Sequence, residues 1–172
     1  YWAYSFIFIK DKVSPKDIPF KLNRAQRRVL NKLEKLRKAG KPIKFILLKA
    51  RQWGGSTLVQ IYMLWIMLVH RRNWNTVICG DVETQSRNVR AMITKALNKY
   101  PSYLLGETVK FTPFEGSSKN KVIQNTNCVV SIGSFQKPDT LRSGDISGAH
   151  LTEIGLWRAT PGKKPEDLIQ SI

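Results

Sequence analysis

Apolar positions recur at three- and four-residue spacing through 22–39. Leu22, Ala25, Val29, Leu33 and Leu36 share one face, Lys and Arg fill the others, and Gly40 supplies a stop. This pattern predicts an amphipathic helix. Pro42 then opens IKFILL (43–48), a short apolar run that predicts a buried strand. After the turn KARQWGG comes a helix over 56–70, hydrophobic nearly all round and therefore expected to be covered on several sides. TVICG (76–80) predicts the next strand. Asp81 is expected to cap a helix through Val82, Val89, Met92, Ile93, Ala96 and Leu97, with Pro101 forcing the exit. Between 106 and 134 the pieces TVKFTPF, KVIQ and NCVVSIG, joined by Gly, Ser and Asn, predict strands or a hairpin. The loop FQKPDTLRSGD leads to a last strand, GAHLTE, and PEDLIQSI begins an amphipathic helix. Strands alternating with helices predict a three-layer α/β domain, with a mostly parallel central sheet and helices on both faces.

Composition narrows the class. With 172 residues, 42% of them hydrophobic, the chain can bury a core and does not belong with disordered proteins. Cys79 and Cys128 are too few for a disulfide scaffold or a cysteine zinc site, and His70 and His150 are too few for a histidine cage. Both thiols are expected to be free and buried, in a reducing, cytosolic setting. The longest apolar run, 58–69, is interrupted by Gln60 and is shorter than the roughly 20 residues of a spanning helix. YWAYSFIFI has no basic region and no cleavage site, so it does not read as a signal peptide. The chain opens without Met and stops inside an incipient helix, and reads as a piece of a longer protein.

Charge changes the picture further. There are 29 Lys and Arg against 12 Asp and Glu, a net charge of +17. Residues 1–50 hold 14 basic and 3 acidic side chains, hence +11, which leaves +6 for the rest. Solvated helix faces account for some of this. The excess favours a polyanionic partner, most commonly nucleic acid.

The candidate chemistry starts where IKFILL meets STLVQIY. A strand–turn–helix is where a phosphate-binding loop belongs, and its usual form is G-x-x-x-x-G-K-[ST]. Aligned on Ser56, Gly54 takes the second glycine position, Gly55 stands where the lysine goes, and Lys49 takes the first glycine position. The loop folds back, so a long side chain from Lys49 can reach the phosphates that the usual lysine serves. An ordinary glycine turn is the competing reading; placement between two apolar elements favours the phosphate loop. Arg51 inside it is suited to stabilising charge on a transferring phosphoryl group, or is a surface cation.

A hydrolytic site also needs a carboxylate at a neighbouring strand end to orient water. Glu153, closing GAHLTE, fits that role, and the metal-side position before it is Thr152, able to act only through its hydroxyl and a water. Arg142 in TLRSGD is a candidate for touching DNA or a neighbouring subunit's nucleotide, or for a plain loop cation. Trp53 reads as a packing residue, Met63, Trp65 and Met67 as core, and His150 as a packed strand histidine.

ARQWGGST after an apolar run, together with LRSGDISGAHLTEIGLW, resembles the N-terminal ATPase domain of the large terminase subunit of tailed phages. Some members of that family carry the lysine at the loop's start, as here. Their acidic pair is often D-E, with S-E variants similar to the T-E of this chain. Arg24 and Gln26 stand where the family places its adenine-recognising glutamine, with Val29 and Leu30 turned to the core. The resemblance runs from about 24 to 157 and implies an ASCE-type P-loop NTPase. It would use ATP and Mg²⁺ to drive double-stranded DNA into a procapsid in the host cytoplasm, as a ring working with a portal protein and a small terminase subunit.

On this reading 1–172 is one ATPase domain, with an N-terminal extension over 1–20, a core over 21–172 and no nuclease domain. The acids are scattered, whereas two-metal DNA cleavage needs them clustered. Nucleotide is expected on Lys49, Ala50, Arg51, Gln52, Trp53, Gly54, Gly55, Ser56 and Thr57, and on Arg24 and Gln26. Ser56 and Thr152 (through water) would serve the metal, with Glu153, Arg51 and Lys49 catalytic. A helicase-like ATPase acting on single strands, and a basic DNA-binding or assembly module with a degenerate loop, remain the competing classes.

Overall fold

Two strand connections decide the sheet. In the computed structural model, which describes residues 1–11, 13–50, 52–138 and 145–170, strands β4 (Phe111–Phe114), β5 (Ser117–Ile123) and β6 (Cys128–Ser134) follow one another through turns too short for a crossover. Glu115 and Gly116 both have positive φ, 49° and 73°, the backbone that a two-residue hairpin turn demands. These three strands are therefore antiparallel neighbours. The remaining two, β3 (Asn75–Gly80) and β7 (Gly148–Leu151), run parallel to β6 and to each other, giving the order β4-β5-β6-β3-β7. The sheet is thus mixed, not mostly parallel as the alternation suggested. Short turns in the 106–134 region imposed the antiparallel half.

Helix α2 (Arg24–Lys38) lies within the predicted span, held at its start by a capping box between Asn23 and Gln26. The apolar helix over 56–70 forms as α3 (Gly55–Trp65), which widens into a π-helical turn over Ile66–His70. After β3 comes α4 (Glu83–Leu97). Its cap residue is Val82, so the expected capping role of Asp81 fails. Asp81 instead accepts a hydrogen bond from Gln136 Nε2 at 3.0 Å.

The larger core lies on one face of the sheet. Ile78, Ile123, Val130 and Ile132 meet Ile61, Leu64 and Met67 of the α3 segment and Val89, Ile93 and Leu97 of α4. Ile7 and Phe20 enter the same core from the N-terminal segment, whose α1 (Trp2–Phe6) precedes a small sheet of β1 (Phe8–Lys10) and β2 (Asp17–Pro19). The opposite face is covered more thinly. Val77 and Cys79 pack with Phe135, Trp157 and Leu168 of the short helix α5 (Pro165–Gln170), and Phe135 stacks on Trp157 at 5.0 Å. No helix among the described residues is long and apolar enough to cross a membrane.

One predicted strand does not form. Residues 43–48 belong to no strand, and Ile46 and Leu48 are 94% and 99% exposed. An apolar run becomes a strand only when a sheet edge takes its amide and carbonyl groups. Among the described residues β3 is the one strand that pairs with β7, and 43–48 makes no ladder with its open edge.

Candidate functional site

The site is built where α3 begins. Gly54 sits at the cap in the left-handed region, φ 80° and ψ 22°, and no side chain caps the helix. The first amides of α3 have no acceptor within the helix, which makes this end a natural place for an anion. Gly55 is buried beneath the side chain of Lys49. A Cβ there would stand 2.7 and 2.9 Å from Lys49 Cδ and Cε, so only glycine lets the lysine lie across the helix start. Trp53 also borders that point, 3.0 Å from the same Cβ position, and is half-buried, as a packing residue is.

Gln26 braces the loop from the other side. Its Nε2 donates to the Gly54 carbonyl at 3.1 Å, while its Oε1 accepts from the Asn23 backbone at 3.0 Å. Both ends of this buried amide are thus engaged within the chain. Arg24, two residues earlier at the start of α2, is exposed. Ser56 is half-exposed at the helix start, and the Thr57 hydroxyl turns toward Met92 Sδ at 3.8 Å. Ala50 and Gln52 are exposed, the latter in left-handed backbone with φ 58°. Arg51 and Arg142 lie outside the described residues.

Helix α3 is tied to β7. Gln60 Nε2 lies 2.7 Å from His150 Nδ1, which makes His150 the packed strand histidine that the sequence predicts. Burial, reinforced by the nearby charge of Lys49, pushes the His150 pKa down to about 4. The imidazole is neutral at physiological pH, with Nδ1 as acceptor. The loop lysine, the α3 start and the β7 end therefore belong to one neighbourhood.

At the carboxyl ends of β3, β6 and β7 the predicted Thr152 and Glu153 are joined by Gln85 and Gln136, which sequence reasoning missed. Thr152 is buried and its amide donates to the Cys79 carbonyl at 2.8 Å, which extends the β3–β7 register to the strand end. Glu153 then leaves the strand in left-handed backbone, φ 58°, and stands exposed. Its Oε2 accepts from Gln85 Nε2 at 3.4 Å. Gln85 Oε1 in turn accepts from the Asp81 amide at 3.0 Å, and Asp81 holds Gln136. The signal available in sequence was only position: Gln85 and Gln136 each follow shortly after a predicted strand.

Among the described residues no group of three or more His, Cys, Asp or Glu could hold a metal by itself. A divalent ion at this end would therefore take most of its ligands from phosphates and water.

No protein-family model matches the chain, and no curated protein matches it in sequence. Among solved structures it is similar to the crystal structure of the HK97 bacteriophage large terminase, with a TM-score of 0.66 and 20% identity. The match covers 98% of this chain and 34% of that one, so the chain spans about a third of that protein's length. The likeness is one of fold, a mixed five-stranded sheet flanked by helices.

Proposed function

We propose that this chain is the ATP-hydrolysing part of a viral large terminase subunit, an ASCE-type P-loop NTPase that couples ATP to the packaging of double-stranded DNA. One observation carries the reading: the Lys49 side chain lies over Gly55 at the amino end of α3. A lysine from the loop's start would from there serve the phosphates that the usual P-loop lysine serves from the position of Gly55. The fold of a phage large terminase supports the same reading.

Lys49 would neutralise the β- and γ-phosphates, with Gly54 and Gly55 allowing close backbone approach and Ser56 meeting the metal. Bound Mg²⁺ supplies charge neutralisation on the transferring phosphoryl group. Glu153 orients the attacking water, and Gln85 holds that carboxylate at the strand end. Arg51 stabilises the charge that develops. Gln26 holds the loop at Gly54, and adenine recognition by its Nε2 exchanges that bond for one to the base. Positioning is the chemistry here, because phosphoryl transfer asks for little else from protein groups.

In the full-length protein the domain would work in a ring with a portal protein and a small subunit, in the host cytoplasm. Calorimetry with Mg²⁺ and ATP on wild type and Lys49→Ala tests the reading. A loss of at least about tenfold in affinity, roughly 1.4 kcal/mol, is expected of the variant. Stimulation of hydrolysis by duplex DNA supports the packaging motor, and stimulation by single strands alone supports a helicase. The absence of binding at millimolar ATP supports the degenerate assembly module, for which Thr152 in place of a metal-side acid is the favouring observation.

A further inference from the structure

At the other end of the sheet a cleft of about 460 Å³ opens between the π-helical turn and the turn joining β5 to β6. Its residues precede the starts of β3 and β6, whereas Asp81 and Glu153 follow the ends of β3 and β7. It is therefore a separate site from the one around Lys49. One wall carries His70, Arg71 and Arg72, and the facing wall Asn125 and Thr126. Glu107 is the one acid lining it, so the arginines leave the lining net positive. Both arginines are exposed, and neither is in an ion pair among the described residues.

The arginines stand on a braced frame. The Arg71 amide donates to the Ile66 carbonyl at 2.9 Å, and the buried Cys128 thiol meets the carbonyls of Met67 and Arg71, both at 3.7 Å. Arg72 Nη1 reaches the Asn125 carbonyl at 3.4 Å. Beyond it Asn73 and Asn127, both in left-handed backbone, are joined by an Nδ2–Oδ1 bond of 2.8 Å, and the Asn73 amide donates to the Thr126 carbonyl at 3.0 Å. The left-handed asparagines and the bonds between them fix this turn beside the two exposed arginines. Thr126 also carries a buried hydroxyl with no hydrogen-bond partner among the described residues. Neighbouring guanidinium groups and an asparagine around a concavity of this size match a phosphate group with room for the sugar it is attached to.

We infer that this cleft binds a phosphate group through Arg71 and Arg72, independently of the nucleotide loop. The phosphate comes from the backbone of duplex DNA or from a free polyphosphate, and only the duplex source rests on the motor reading above.

Two arms separate these sources. In the first, anisotropy of labelled duplexes of two unrelated sequences is followed against salt for wild type and Arg71→Ala/Arg72→Ala. The log–log slope is expected to fall by about two, equally for both sequences. In the second, pyrophosphate binding is measured on Lys49→Ala protein, so that the nucleotide loop does not contribute, with and without the arginine changes. A flattened duplex slope assigns the cleft to DNA. An unchanged slope with loss of pyrophosphate binding assigns it to a free phosphate ligand. If neither readout moves, the inference is overturned. Should the double variant melt early, Arg71→Gln, which leaves the Arg72–Asn125 bond intact, carries both arms with a slope change of about one. Failure of the motor reading shows separately, as absence of duplex binding by the wild type, and leaves the pyrophosphate arm to decide.

Discussion

Gln85 Nε2 lies 3.4 Å from Glu153 Oε2, and the same glutamine is anchored through its Oε1 to the Asp81 amide. The exposed carboxylate after β7 is thus held from the first turn of α4, the helix that follows the neighbouring strand β3. Gln85→Ala is expected to lower kcat by about tenfold, the effect of roughly 1.4 kcal/mol, with ATP affinity unchanged. Steady-state hydrolysis alongside calorimetric ATP binding checks this. Equal loss in kcat and affinity points to a structural role instead.

Gly55 offers a change in which stability and binding separate. Alanine is the better helix former by about 0.5–1 kcal/mol, so Gly55→Ala is expected to melt no lower than wild type. Its new methyl group collides with Lys49 Cδ and Cε. ATP affinity should therefore drop by an amount similar to that in Lys49→Ala. Wild-type affinity in Gly55→Ala would remove Lys49 from the phosphate site.

Gln26 closes the capping box of α2 and ties that helix to the Gly54 carbonyl. Removing both bonds in Gln26→Ala should cost about 1–2 kcal/mol, or roughly 3–6 °C in Tm for a domain of this size. Thermal unfolding followed by circular dichroism measures it. Gln26→Glu keeps the cap acceptor and loses the donor to Gly54, and should fall between the two.

His150 predicts an acid dependence of stability. Its pKa falls from an ordinary 6.5 to about 4 in the folded chain, so between these values the unfolded state binds the extra proton. The contribution is fully present above pH 6.5 and is lost as pH falls toward 4. The slope from this one group is at most about 1.4 kcal/mol per pH unit. Glu34 and Glu83, whose pKa values are lowered by hydrogen bonds from Arg37 and Lys119 first of all, act in the same direction at lower pH. Denaturant unfolding of wild type and His150→Gln from pH 7 to 4 should show the variant with the flatter profile.

The sequence alone determined the elements whose evidence is local. Periodicity located α2 and the apolar helix, β-rich pieces located β4, β5 and β6, and the spacing of Lys49, Gly54 and Ser56 marked the loop. Each of these follows from backbone preference or from one face of one element, so neighbours in sequence carry the signal. Residues far apart in the chain needed the tertiary structure. The apolar run 43–48 reads as a strand, but a strand forms only by pairing, and the run makes no ladder with the open edge at β7. The direction of β4 and β5 was decided by turn length, against the parallel order that alternating elements suggest. Likewise Gln85 meets Glu153, and Gln136 meets Asp81, only because β3, β6 and β7 end side by side. The lysine over Gly55 joins the two levels: sequence puts it at the start of the turn, and only the folded loop lays its side chain across Gly55.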